Sequence, residues 1–309
     1  IMKLRLGVRG MMWLTLVIMM WGIISCRTQE EKCLEEVLSL PLANKEELQK
    51  VLDHYKDDSL KYQAVCFLIR NMPFHAGYEG NALKHYYQYF DIYAQGKLGP
   101  HEVIDSLKEN SFSVSQLKWI EDIANIDSSL LVQNVDWAFK VWREQPWGKN
   151  VSFDNFCEFV LPYRLGDEPL GFWREDIYKR YNPILDSIRL LPQAQDPLVA
   201  AKVLMDSLVV EQSHFTGLFP AGPHLGPSVV SWRAGSCREF ADLVVYVMRA
   251  LGIPCGTDYM AMRGDNNVPH FWNFTLDKDG KTYITEFPDP NWKRAVSMYN
   301  PCLLYTSPS

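Results

Sequence analysis

Gly235-Ser236-Cys237-Arg238-Glu239-Phe240-Ala241-Asp242-Leu243-Val244-Val245-Tyr246-Val247-Met248-Arg249-Ala250-Leu251-Gly252-Ile253-Pro254 is the stretch on which the fold turns. It reads as a helix with Ser236 as N-cap and with Gly252 and Pro254 closing its far end. Cys237 then lies in the first turn. The free NH groups and the dipole there favour negative charge, so a thiol ionises more readily, and the same NH groups can hold a tetrahedral oxyanion. By itself a cysteine on a mostly apolar helix is more often a core residue than a nucleophile.

A second element changes that balance. Val268 to Leu276 alternates as a strand does, Asp277-Lys278-Asp279-Gly280 is a turn, and 281–287 is the returning strand. With Gly280 in the left-handed position of a three-residue loop, Asp277 pairs with Lys281 and His270 falls opposite Pro288. Ile284 and Glu286 then share the face of His270, while Asp289 falls on the other. A carboxylate at Glu286 could fix the imidazole tautomer, the orienting role in a nucleophile, base and acid set.

Gly235-x-Cys237-x-x-Phe240-Ala241, the helix end Arg249-Ala250-Leu251-Gly252-Ile253-Pro254, and His270-x-Trp272 before a Gly-containing hairpin together resemble the core of the transglutaminase-like superfamily. The resemblance covers 232–292. It implies an α+β, papain-like core in which the Cys237 helix packs on an antiparallel sheet, with Cys237, His270 and an acid in that order. The usual acid is Asp, which this sequence offers as Asp289-Pro290, whereas counting from the histidine gives Glu286; both stay open, with Glu286 favoured. Segment 152–164, with Glu168, Trp173 and Arg174, also resembles the helical lead-in of transglutaminase-like lipoproteins of Bacteroidetes type. Cys255 reads as core, and Trp232, Trp272 and Trp292 as packing residues. Arg164 and Arg174 read as partners for Asp167 and Glu168.

Upstream the pattern is helical. Leu34, Val37 and Leu38, then Leu48, Val51, Leu52 and Tyr55, recur at three- and four-residue steps; Asp57-Asp58-Ser59 caps a segment over 60–71 that stops at Pro73. Helices are further predicted over 81–94, 114–126, 128–142, 173–191 and 197–211, with 217–227 as a surface loop. Residues 27–146 thus form a helical N-terminal region and 147–301 the thiol domain, its core at about 225–295. His54, His75, His85 and His101 have no partner at a telling spacing, and the aromatics of 86–93 read as packing.

The ends bear on location. Lys3, Arg5 and Arg9 precede an apolar run from Met11 to Ile24 and then Ser25-Cys26, the layout of a signal peptide ending in a lipidated cysteine. The alternative, an uncleaved membrane helix, is disfavoured because this run is shorter than the roughly 18 residues expected of a span. Segment 1–26 is therefore read as a lipoprotein signal with Cys26 as anchor, and the protein as exported and held on the cell envelope at the outer membrane, periplasmic or surface-facing. Residues 302–309 resemble a translated adapter tail, so the natural chain is expected to continue past 301.

Loss of the leader lowers Lys+Arg from 31 to 28 against 37 Asp+Glu, a net charge of −9, which disfavours nucleic acid as a partner. The seven cysteines show no metal-ligand spacing, and one or two disulfides could form among them. No cofactor is called for. The expected activity is a cysteine peptidase or amidase acting on a protein or peptide through an acyl-enzyme on Cys237. Amine transfer to glutamine, or a non-catalytic peptide- or glycan-binding module, are the alternatives.

Overall fold

A computed structural model describes residues 31–107, 112, 114–217, 222–262, 268–288 and 292–294. In the first half α1 (Lys45–His54) and α2 (Ser59–Asn71) precede strand β1 (Ala76–Glu79). Helices α3 (Leu83–Tyr93) and α4 (Pro100–Ser106) follow, then strand β2 (Lys118–Glu121) and helices α5 (Ser128–Glu144) and α6 (Phe153–Phe159). Local chemistry sets the starts: Asp58 accepts from Lys61 N at 3.2 Å and Asp127 from Leu130 N at 2.9 Å, each satisfying a first-turn NH.

The second half contains α7 (Arg174–Tyr181), α8 (Pro197–Val210), the two-residue strands β3 (His214–Phe215) and β4 (Ala234–Gly235), and then α9 (Cys237–Ala250). Strands β5 (Cys255–Met260), β6 (His270–Leu276), β7 (Thr282–Thr285) and β8 (Lys293–Arg294) make an antiparallel sheet in that order. The architecture is α+β. Among the described residues no helix is long and apolar enough to cross a membrane, and no cysteine is disulfide-bonded. Cys26, Asp289 and 302–309 lie outside the described residues.

Helix α9 occupies the centre of the second half. Glu239 and every residue from there to Ala250 is buried. The helix packs against β5 and β6 on one side and α7 on another. Its apolar side chains join Trp147, Leu204 and Leu208 in one core. The far end closes as a Schellman motif: Gly252 takes φ +76°, Ile253 N donates to Met248 O at 3.0 Å and Gly252 N to Arg249 O at 3.2 Å. A separate core joins α1, α2 and α5 to Phe156, Cys157, Leu161 and Tyr163.

Two sequence expectations fail here for physical reasons. Residues 114–126 do not form one continuous helix; only Asp122–Asn125 makes an α-helical turn. Leu117, Ile120 and Ile123, three apart, imitate a helical stripe, but after a single 3-10 turn (Val114–Gln116) the chain extends into β2. That strand pairs with β1, and Trp119 meets the edge of Tyr78 at 4.9 Å, so the region is not all-helical. The helix expected over 173–191 stops at Tyr181, where Pro183 removes an NH donor and the chain tightens into a 3-10 segment, Asn182–Ser187.

Buried polar side chains join the two halves. Arg164 Nη2 meets Asp122 Oδ1 at 2.6 Å, and Tyr163 donates to the other Asp122 oxygen at 2.8 Å. Arg164 thus pairs with Asp122 and not with Asp167 or Glu168. Arg174 likewise has no carboxylate partner among the described residues: it donates to Asn134 Oδ1 at 2.7 Å and to the carbonyls of Val160, Leu161, Pro162 and Arg249. Because Arg164 is 5% exposed and Asp122 1%, Asp122→Ala leaves a buried guanidinium without its counter-charge. A loss of about 3–5 kcal/mol is expected, measured as a fall in the urea midpoint at unchanged slope.

Candidate active site

The cysteine is set by its cap. Ser236 Oγ accepts from Arg238 N at 3.3 Å, while Ser236 N and Oγ both donate to Glu239 Oε2, at 2.9 and 2.8 Å, completing a capping box. Gly235 is required beside it. Its φ is +135°, and a Cβ there would lie 2.6 Å from Glu239 Cβ.

The histidine is set by its register. Asp277 N donates to Lys281 O at 2.9 Å, and the pairs Asn273–Thr285 and Leu276–Thr282 carry the same register to the other end. The observed pairing, from Leu276–Thr282 to Asn273–Thr285, has the register that the turn chemistry predicts. On the shared face the His270 Nε2 to Glu286 Oε1 distance is 2.7 Å. With Nε2 turned to this carboxylate, Nδ1 is the ring nitrogen left for Cys237, whose thiol is hydrogen-bonded to His270 and to the Phe271 backbone NH.

Burial pushes the Cys237 thiol up, but hydrogen bonds from His270 and the Phe271 NH, with the charge of His270, outweigh it and hold the thiol below its ordinary value. The helix N-terminus alone contributes about 0.3–1 kcal/mol, under one pH unit. Glu239, needed for the cap, opposes thiolate formation, so the imidazole decides the outcome. The Cys237 hydrogen bond and the Glu286 carboxylate 2.7 Å from Nε2 raise His270 to about 9 against the cost of burial. Thiolate and imidazolium therefore coexist up to about pH 9.

Asn273 is a residue that the sequence pattern does not single out. Its side chain is 1% exposed and its Nδ2 donates to Ala241 O on α9 at 3.0 Å and to Gly256 O on β5 at 3.3 Å. It ties the histidine strand to the cysteine helix. Nothing in the alternating pattern of β6 distinguishes it from a core polar residue.

A second pair is equally hidden in the sequence. The loop at 222–227 is expected on the surface, yet Leu225 is 2% exposed. Arg238 donates to Gly222 O at 2.8 Å, and His224 Nδ1 lies 2.7 Å from Asp242 Oδ2 on α9. The one available signal is Asp242 itself, an acid five residues after the cysteine in a helix of apolar neighbours.

Trp232 is engaged elsewhere, donating to Asp91 at 2.7 Å and stacking on Phe90. Trp272 is buried with its ring centroid 5.7 Å from that of His270, Trp292 packs against the α9 core, and Cys255 is fully buried. Among the described residues no group of three or more His, Cys, Asp or Glu could hold a metal ion.

Two outcomes are expected from iodoacetamide rates against pH. His270→Ala removes the hydrogen bond and charge that oppose burial, so the reactivity profile of Cys237 moves to higher pH and the rate at pH 7 falls about tenfold or more. Glu286→Gln removes a negative charge from beside the ring and lowers the His270 pKa. The alkaline change in reactivity, near pH 9 in the parent, then moves down by roughly one unit, the small end for a neighbouring charge because Glu286 is half exposed.

No family model, curated protein or solved structure matches the chain.

Proposed function

We propose that the chain is a transglutaminase-like thiol enzyme, a cysteine peptidase or amidase whose nucleophile is Cys237, whose base is His270 and whose orienting acid is Glu286. The observation that carries the reading is the single imidazole that bonds a thiol at a helix start on one side and lies 2.7 Å from a carboxylate on the other. Cysteine and histidine on separate elements, with the acid on the returning arm of the hairpin, agree with the papain-like order expected from the sequence.

In the reaction, the Cys237 thiolate attacks an amide carbonyl carbon and the C–S bond forms. Charge moves to the carbonyl oxygen, and the backbone NH of Cys237, which the cap does not use, is the donor for it. The imidazolium of His270 passes its proton to the leaving nitrogen as the C–N bond breaks, giving a free amine and a thioester. Water, deprotonated by His270, then attacks the thioester and releases a carboxylic acid and the thiolate. An amine in place of water would give amine transfer, with the same first half.

The proposal extends to place. Residues 1–26, with the three basic residues, the apolar run and Cys26, support export and lipid anchoring, which would hold the thiol domain against a membrane facing protein or peptide substrates. With 37 acidic against 31 basic residues in the whole chain, nucleic acid is a poor partner.

Peptide-library cleavage followed by mass spectrometry tests the activity. The expected products are two fragments with a new carboxyl terminus, and Cys237→Ala is expected to lower the rate by about a thousandfold or more. Cleavage that survives in Cys237→Ala would sink the assignment. A product heavier by an added amine would identify the transfer reaction in its place.

A further inference from the structure

Beside the thiol lies a cleft of about 360 Å³ bounded by β5, β6, the flank of α9 and the 222–227 loop. Its lining includes Phe271, whose backbone NH bonds the Cys237 sulfur. Its charged lining is His224, Asp242, Arg249 and Glu158, and Phe271 and Phe274 supply apolar wall. The polar groups of this lining are disposed unequally. Asp242 is buried, with Oδ2 2.7 Å from His224 Nδ1. The other ring nitrogen, Nε2, has no hydrogen-bond partner among the described residues; that edge of the ring packs close to Gly166.

Arg249 adds a second donor. It is 9% exposed and has no carboxylate partner among the described residues. Its Nε donates to Phe159 O at 3.2 Å and Cys255 O at 3.3 Å and its Nη1 to Arg164 O at 3.2 Å, while Nη2 makes no hydrogen bond to a described residue. Glu158 is the opposing charge, on α6. One imidazolium donor and one guanidinium nitrogen, with Asp242 and Glu158 beside them, suit a single negative charge better than a dianion.

We infer that this cleft receives a carboxylate of the substrate, held by His224 and Arg249, so that the thiol acts on amides of acidic peptides. The inference rests on the proposed thiol chemistry and adds the substrate class to it. His224 is charged in the working range: burial disfavours its cation, but the adjoining Asp242 carboxylate outweighs burial and raises it to about 9, with Arg238 opposing and Glu168 assisting from α9 and the loop before α7.

The test uses the full chain and paired reagents with uncharged caps. Acetyl-dipeptidyl chloromethyl ketones bearing Glu or Gln probe an acidic side chain, and peptides ending in a free acid or an amide probe a terminal carboxylate. Alkylation of Cys237 or cleavage is expected about tenfold faster for the acidic member of one pair, which also identifies the source of the carboxylate. His224→Gln should abolish the preference, read as the ratio of acidic to neutral rates within that variant. In the unsubstituted protein the ratio of acidic to neutral rates should fall as pH passes about 9, a ratio in which the titration of His270 cancels. Equal rates in both pairs, a preference for a Lys reagent, or a preference kept in His224→Gln would overturn the inference. An ordinary iodoacetamide profile in the parent would instead mark failure of the thiol reading itself.

Discussion

A helix buried from Glu239 to Ala250 that still carries Glu239, Asp242, Tyr246 and Arg249 places a strict demand on everything around it. Each such group left unanswered costs about 1–3 kcal/mol, so together they would approach the roughly 5–15 kcal/mol that separates folded from unfolded chains. The surrounding elements answer them one by one. Glu239 is taken by the cap, Asp242 by His224, Tyr246 by Glu168 at 2.9 Å, and Arg249 by carbonyls of three other segments. Glu168 is held in turn by the backbone NH groups of Leu165 and Gly166, at 2.6 and 2.7 Å. The position of α9, and with it of Cys237, is thus fixed by directional bonds as well as by packing.

The same demand explains what could be read from the sequence. Ser236, Gly252 and the 277–281 turn act within a few residues of themselves, so cap, helix end and hairpin register were legible, and the register carried Glu286 to His270 across sixteen positions. The polar stripe at 239, 242, 246 and 249 was not legible as a buried feature, because its partners come from distant segments. For the same reason Arg164 could not be matched to Asp122, 42 residues away, and Asn273 could not be told from an ordinary strand residue. The false helix at 114–126 arose where spacing alone was read and the pairing strand lay far upstream.

Cap, strand and carboxylate contribute unequally to the thiol. The helix start supplies oriented NH groups but little acidity, and its own cap residue Glu239 works against the thiolate. The imidazole supplies the acidity, and Glu286 keeps the imidazole charged. A helix N-terminal cysteine is therefore only half of the device, and Asn273 maintains the distance between the halves.

That division has a consequence in time. The cysteine enters the growing chain 33 residues before the histidine, and until β6 docks on α9 the sulfur has neither imidazole nor Phe271 NH beside it. An emerging or partly unfolded chain carries an unremarkable thiol at 237, inert toward its neighbours at neutral pH. The acidity of the thiol arrives with the final closure of the sheet, so it is switched on by completion of the fold and off again by its loss.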